Sequence, residues 1–266
     1  MAIVDPVTDW TPEAVRRAAV DWVWIPDGTK RAGTDLRMLD YPDWVAAGAQ
    51  AGKIDSDRPA AVIIDEAAEQ ARAWGRDRLN WWVSADTRPV DLESTLVARG
   101  AEHDETVAIL AADLTQPLPE LMLEPGITVE QVTERQQYLD VDVVTTAVWH
   151  QEPITPERLD SQLGEEATRG EFRTLARLDG DPVSTGGCTV VDGVARLWGG
   201  ATLESARHRG AYRAVLGLRL ALAQQYGATL AMVKGRADTS APILRRSGFT
   251  EYGEERIYVQ HLSPSL

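Results

Sequence analysis

Two stretches of this chain carry the same punctuation in the same order. In the first, a helical pattern ends at Gly75, residues 79–83 read as a strand, a second helix ends at Gly100, and a last strand ends at Leu114. In the second, a helix ends at Gly227, residues 230–233 read as a strand, a helix ends at Gly248, and a last strand ends at Leu262. The local text agrees: LVARGAEHDETVAILAADL at 96–114 stands beside LRRSGFTEYGEERIYVQHL at 244–262. Parallel order with parallel punctuation marks a duplicated fold.

The join between the copies falls where Pro117, Pro119, Pro125 and Gly126 cluster, a composition that suits a linker. The expected division is a domain at 1–116, a linker at 117–125 and a domain at 126–266. In the first, Thr11 and Pro12 open a helix over 11–20, and an alternating aromatic strand at 21–28 closes on Pro26-Asp27-Gly28. Residues 29–57 read as polar and irregular, with a short helix at 42–47, and a helix follows at 58–74. After the linker come a strand at 127–132, helices at 133–148 and 155–169, and strands at 173–178, 183–190 and 195–203. Asp192-Gly193 turns one of these strands into the next. The fold class is α/β (α+β): two similar domains, each a mixed, mostly antiparallel sheet flanked by helices.

At 266 residues the chain suits one large or two modest domains. Its net charge of −14 argues against nucleic acid as a partner and leaves room for a cationic small molecule. Roughly 10 of those charges fall before residue 120, so the second half is relatively basic. No apolar run reaches the roughly 18 residues of a membrane helix. The start, Met1-Ala2-Ile3-Val4-Asp5-Pro6, lacks the basic and apolar regions of a signal peptide. Cys188 is alone, which excludes an intrachain disulfide and fits the cytoplasm, and four scattered histidines show no zinc spacing, so no metal is expected. No motif specifies an oligomeric state.

The stretch that bears on chemistry is the junction of the strand at 195–203 with the helix that begins near Ala211. Between them lies Arg207-His208-Arg209-Gly210. Such a turn aims backbone N–H groups at one point, adds the positive end of a helix dipole and surrounds both with guanidinium groups, an arrangement that suits phosphate or pyrophosphate. The helix beyond it, with Val215, Leu216, Leu218, Leu220, Leu222 and Ala223, reads as packing. In the first copy the same place holds Gly52-Lys53-Ile54-Asp55-Ser56-Asp57-Arg58-Pro59, whose aspartates oppose an anion.

Arg207-x-x-Gly210 followed by a helix resembles the Q/R-x-x-G-x-G/A acyl-CoA loop of the GNAT superfamily of N-acyltransferases, with Tyr212 where that pattern ends in Gly or Ala. Downstream, Ser247-Gly248-Phe249 resembles the Gly-Phe turn of the same family, with Ala237 where Asn is usual and Leu244 where a tyrosine often acts as general acid. The resemblance implies a tandem GNAT protein whose C-terminal copy binds acetyl-CoA and whose N-terminal copy is degenerate. It implies that Ala201, Thr202, Leu203, Arg207, His208, Arg209, Gly210, Ala211, Tyr212, Arg213, Ser240 and Arg245 hold the acyl-CoA. It also implies direct attack of a small-molecule amine on the thioester, which needs a deprotonated amine, a polarised carbonyl and close approach.

His150 and Glu152 lie in the segment that borders the acceptor site in this superfamily and are candidates for the general base. His150 is favoured because an imidazole titrates near neutrality; a loop histidine without a role is the alternative. Tyr258 or solvent stands in for the missing general acid. Cys188, among Gly186-Gly187-Cys188-Thr189-Val190, reads as a core residue rather than a nucleophile. Seven of the nine tryptophans, Trp44 among them, lie in the first copy as core or as the wall of an acceptor cleft. Two rival readings stay open: a non-catalytic CoA-binding or regulatory protein, and a binder of nucleotides or phosphosugars.

Overall fold

The computed structural model describes residues 10–43, 45, 47–118 and 120–263. Trp44, Ala46, Pro119 and the segment read for a signal peptide lie outside them. The chain forms two compact units that interleave along the sequence. The loop-bearing unit takes Ala111–Lys234 and Ser247–Thr250, with Trp10 and Thr11. The companion unit takes Pro12–Leu110, Gly235–Arg246 and the chain from Glu251 onward.

The companion unit begins with α1 (Pro12–Asp21), entered at the expected proline. Residues 22–26, expected as a strand, form none. Tyr41 Oη donates to the Trp24 carbonyl at 2.8 Å and its ring stacks on Trp24, so a side chain supplies what a neighbouring strand would have supplied. Three short strands instead occupy the stretch read as irregular: β1 (Lys30–Ala32), β2 (Arg37–Asp40) and β3 (Ala49–Gly52). Then come α2 (Ala60–Ala73), β4 (Arg78–Ser84), α3 (Leu92–Ala98) and β5 (Glu102–Asp113), of which the last runs out of this unit after Leu110.

The final strand of the chain, β11 (Thr250–His261), pairs antiparallel with β4, from Glu255 opposite Ser84 to His261 opposite Arg78. Strand order in this unit is therefore β1-β2-β3-β4-β11-β5. Alternation along β4 turns Leu79, Trp81 and Val83 inward, onto Ile63, Ile64, Ala67 and Ala71 of α2 and onto Tyr258 and Leu262. The alanines of α2 let the helix lie close to the sheet. Burial of each large side chain there contributes about 1.5–3 kcal/mol.

The loop-bearing unit is β6 (Ile127–Gln131), α4 (Arg135–Trp149), α5 (Pro156–Arg169), β7 (Glu171–Leu178), β8 (Asp181–Val191), β9 (Val194–Thr202), a 3-10 turn at Glu204–Ala206, α6 (Ala211–Gln225) and β10 (Leu230–Arg236). The order is β10-β9-β8-β7-β6, antiparallel except for the parallel pair β9 and β10. Neighbouring residues of β7 face opposite layers, as strand geometry requires. Leu175 packs with Tyr138, Val141 and Leu159 of α4 and α5. Ala176 packs with Ala211, Ala214 and Val215 of α6. The sheet is thus covered on both faces, with the start of α6 beside the end of β9. The remaining helix, α7 (Ser240–Arg246), belongs to the companion unit.

Candidate acyl-CoA site

Strands β9 and β10 pair for three residues only, Val194–Leu230, Ala195–Ala231 and Arg196–Met232, although β9 continues to Thr202. Beyond Arg196 the two diverge, leaving β9 with backbone groups on that edge free of a β10 partner. On its other edge β9 carries a bulge: Thr185 faces Ala201 and Gly187 faces Trp198, so Gly199 and Gly200 together oppose Gly186 alone. Gly199 has a φ of +62°, which a side chain tolerates poorly. A bulge at this point re-aims the backbone toward the opening. The Trp149 ring, at the end of α4, lies 3.8 Å from where a Cβ on Gly199 would be.

From the bulge the chain runs through Ala201, whose carbonyl accepts from Ser184 Oγ at 2.9 Å, and Thr202, whose Oγ1 is 2.7 Å from Ser184 Oγ. Leu203 N donates to Val183 O at 2.9 Å and ends the ladder. Arg207 is extended, His208 has a φ of +62° and Gly210 one of +84°. This alternation turns the backbone sharply into α6. Gly210 caps the helix without a side-chain hydrogen bond, and the helical ladder begins with Ala214 N to Gly210 O at 3.0 Å. The amides of Ala211, Tyr212 and Arg213 therefore lie at an uncapped helix start, at the positive end of its dipole. Arg207, His208, Arg209 and Arg213 are exposed around it. Among the described residues Arg213 alone of these has a partner, Glu124 of the linker at 3.3 Å.

The remaining candidates divide between the units. His150 caps α4 in the left-handed region, φ +54°, and is exposed, as is Glu152. Gln151 Nε2 to Thr145 Oγ1 and Ile154 N to Asp142 Oδ2 hold this turn against α4. Trp149, whose ring is near Gly199, immediately precedes the same turn. Tyr258, Ser240 and Arg245 lie in the companion unit. Tyr258 Oη donates to Glu93 Oε1 at 2.6 Å, and burial together with that carboxylate pushes its hydroxyl pKa up. Arg245 pairs with Glu251. Cys188 is fully buried, and burial pushes its thiol up to about 12, so it offers no thiolate. Among the described residues no cluster fit to hold a metal ion exists, and no helix is long and apolar enough to cross a membrane.

The companion unit repeats the backbone without the cradle. Its β3 and β4 pair in parallel over three residues, Ala49–Leu79 to Ala51–Trp81, as β9 and β10 do. In the turn after β3, Ser56 Oγ donates to Asp35, of the β1–β2 turn, at 2.5 Å, and Arg58 Nε and Nη2 donate to it at 2.8 and 2.9 Å. Those bonds hold the Asp35 carboxyl below the usual range. Arg58 also reaches Glu66 at 2.6 Å. The guanidinium is satisfied from within, and Pro59 removes an N–H from the helix start.

No family model matches the chain, and no curated protein does. Among solved structures it superposes on a GCN5-related N-acetyltransferase from Kribbella flavida with a TM-score of 0.67 at 21% identity, over 97% of this chain and 96% of that one. A GCN5-related N-acetyltransferase from Sphaerobacter thermophilus matches with a TM-score of 0.68 at 17% identity, over 90% and 84%. A tandem GNAT protein from the clavulanic acid biosynthesis pathway matches with a TM-score of 0.64 at 16% identity, over 87% and 79%.

The fold is that of a tandem GCN5-related N-acetyltransferase. The duplicated architecture and mixed sheets expected from the sequence are those of this GNAT fold. Two residues beside the uncapped helix escaped the sequence reading: Glu124, which lies in the proline-rich linker, and Arg219, which interrupts the apolar stripe of α6.

Proposed function

We propose that the protein is an acetyltransferase that moves an acetyl group from acetyl-CoA to the amine of a small, cationic acceptor in the cytoplasm. The observation that supports this reading best is a coincidence within one unit. An uncapped helix start ringed by arginines follows directly on a glycine bulge at the mouth of two diverging parallel strands. The first suits a pyrophosphate and the second suits an extended arm that pairs with a strand edge. In this reading Arg207, His208, Arg209, Gly210 and the amides of Ala211, Tyr212 and Arg213 hold the phosphates, and Ala201, Thr202 and Leu203 lie along the arm.

Acetyl-CoA supplies an activated carbonyl. The protein then needs only to hold the amine close, to take its proton and to favour the charge that develops on the carbonyl. His150, on the turn directly after Trp149, is the proposed base, with Glu152 beside it in sequence. Water is the proposed acid. The buried, protonated Cys188 makes a covalent relay through the enzyme unnecessary and unfavourable. The acidic surface, −14 overall, favours a cationic acceptor.

The test is to follow free thiol release from acetyl-CoA across polyamines, aminoglycosides and amino acids. Amine-dependent release supports the proposal. His150→Ala is expected to lower kcat while leaving CoA affinity unchanged. A second reading, a non-catalytic CoA-binding or regulatory protein, is favoured by Leu244, a residue 1% exposed that packs in the core and brings no hydroxyl. Binding without turnover across the whole panel selects it. Failure of CoA to raise the melting temperature points instead to a nucleotide or phosphosugar binder.

A further inference from the structure

Arg219 is a buried cation without a counter-ion. It is 2% exposed on α6, and its side chain runs beneath the sheet into the space left by Gly186, where a Cβ would come within 2.7 Å of the guanidinium carbon. Nη1 donates to the Gly187 carbonyl at 3.3 Å and to that of Trp198 at 3.5 Å. Nε is sealed from solvent and has no partner. Among the described residues no carboxylate pairs with it. Cys188 beside it is a neutral thiol. Such a charge costs several kcal/mol to bury, and an apolar side chain of the same volume would usually fill the space as well or better. The Arg219 guanidinium carbon also lies 6.0 Å from the centroid of the Tyr212 ring, a cation–π contact at the limit of range that supplies no counter-charge.

The position of Arg219 explains the charge. Gly187 and Trp198 are the pair at which the bulge begins, so both carbonyls held by Arg219 flank Gly199-Gly200. Arg219 stands eight residues beyond the start of α6, about 12 Å along the helix axis. The side chain reaches back toward the helix start but is buried under β9, where its contacts are the Gly187 and Trp198 carbonyls rather than the exposed loop. The charge lies beneath the bulge, near the end of β9, with the centroid of the Tyr212 ring 6.0 Å from the guanidinium carbon.

We propose that Arg219 is the fixed positive charge that positions the β9 bulge and favours the negative charge developed there during acyl transfer. The proposal rests on the acyl-CoA reading above. In the transfer, the acceptor nitrogen uses its lone pair to form the C–N bond. The C–S bond breaks with its electron pair on sulfur, and the ammonium proton goes to His150 or water. Arg219 exchanges no group with the substrate and acts through the backbone of β9 as a positioning residue. A guanidinium already in place, in a site shielded from water, stabilises the departing thiolate without reorganisation.

The test is the pKa of the CoA thiol bound to the full chain, read from thiolate absorbance between about pH 6 and 10. The wild-type protein is expected to lower it from its value in free CoA by about one unit, a tenfold gain in thiolate fraction near neutrality. Arg219→Met, which keeps volume and removes charge, is expected to abolish that lowering while retaining CoA. Arg219→Lys restores part of it, and Gly186→Ala, which pushes the guanidinium aside, gives an intermediate value. In turnover, Arg219→Met lowers kcat rather than raising KM for acetyl-CoA. A wild-type protein that binds CoA with an unshifted thiol overturns this inference alone, whatever the variants do. An Arg219→Met protein that keeps the lowered value overturns it as well. A wild-type protein that does not bind CoA overturns the acyl-CoA reading and this inference with it.

Discussion

Glu124 and Arg213 meet at 3.3 Å beside the open start of α6, the glutamate from the linker and the arginine from the helix. The linker lies along the helix like a strap. Leu121 fills the notch at Gly217, 2.5 Å from where a Cβ would be, and Glu124 Cγ lies 2.6 Å from the corresponding point on Gly210. An anion arriving at the helix start must compete with Glu124 for Arg213 and is repelled by its charge. Both side chains are more than half exposed, so the pair contributes little, about 0.2–1 kcal/mol. Glu124→Gln is therefore expected to tighten CoA binding by that amount in calorimetry at low salt, and the gain is expected to shrink at high salt. An unchanged Kd at low salt would count against an anion at this position.

Arg209 is exposed beside the same amides. A charge-assisted contact to a phosphate is the role open to it, so Arg209→Ala is expected to weaken CoA binding by roughly 1.5–3 kcal/mol. The melting temperature of the unliganded protein should stay where it was. Gly210→Ala makes the contrasting case: with φ at +84° and Glu124 already close, it is expected to cost about 1–2 kcal/mol of stability as well as affinity. Loss of affinity in both variants with loss of stability only in the second separates ligand contact from loop geometry. Equal losses of stability would refute the distinction.

The loop was legible because its signals are local. Arg207, Gly210 and the helix after them are set by backbone sterics and charge within a few residues, and the glycines at 75, 100, 227 and 248 all have positive φ, as helix ends require. The strands β1, β2 and β3 were not legible. They are three or four residues each, KRA, RMLD and AQAG, and their neighbours rather than their own propensity make them strands. The tryptophans at 22 and 24 mimic strand alternation, yet the Trp24 carbonyl is satisfied by Tyr41 and no ladder forms. Arg219 left a trace that went unread: it sits among Leu216, Leu222 and Ala223 at core spacing, where a charge has no business unless something calls for it.

Acid stability should trace to two carboxylates of the companion unit. Arg256 donates to Glu93 through Nε at 2.5 Å and Nη2 at 2.8 Å, and with Tyr258 it holds the Glu93 carboxyl below its usual value near 4.5. Arg58 and Ser56 do the same for Asp35. A carboxyl depressed in the folded state takes up its proton first in the unfolded state. Its contribution is therefore complete above the ordinary carboxylate range and is lost as pH falls through the depressed value. The melting temperature is expected to hold from neutrality to about pH 5 and to fall below that. Glu93→Gln should melt lower at pH 7 but with a shallower acid limb. A parallel acid limb in the variant would remove Glu93 from the account.

What periodicity cannot give is a strand's partner, and β11 shows the consequence. Its pattern says strand, while its register with β4 makes it part of the companion unit, with Tyr258 and Leu262 in that unit's core. Trp81, fully buried, donates its indole N–H to Gln260 at 2.9 Å. A chain stopped after Gly248 would leave β4 with an open, apolar edge and Trp81 with an unmet donor, a combination that costs several kcal/mol and invites edge-to-edge association. Such a chain, or residues 1–116 expressed alone, is expected to show red-shifted tryptophan emission and concentration-dependent aggregation. Supplying residues 117–266 in trans is expected to restore the emission of 1–116, since the missing strand is among them. A stable, monomeric 1–116 with unshifted emission would show that the first copy needs nothing from the end of the chain.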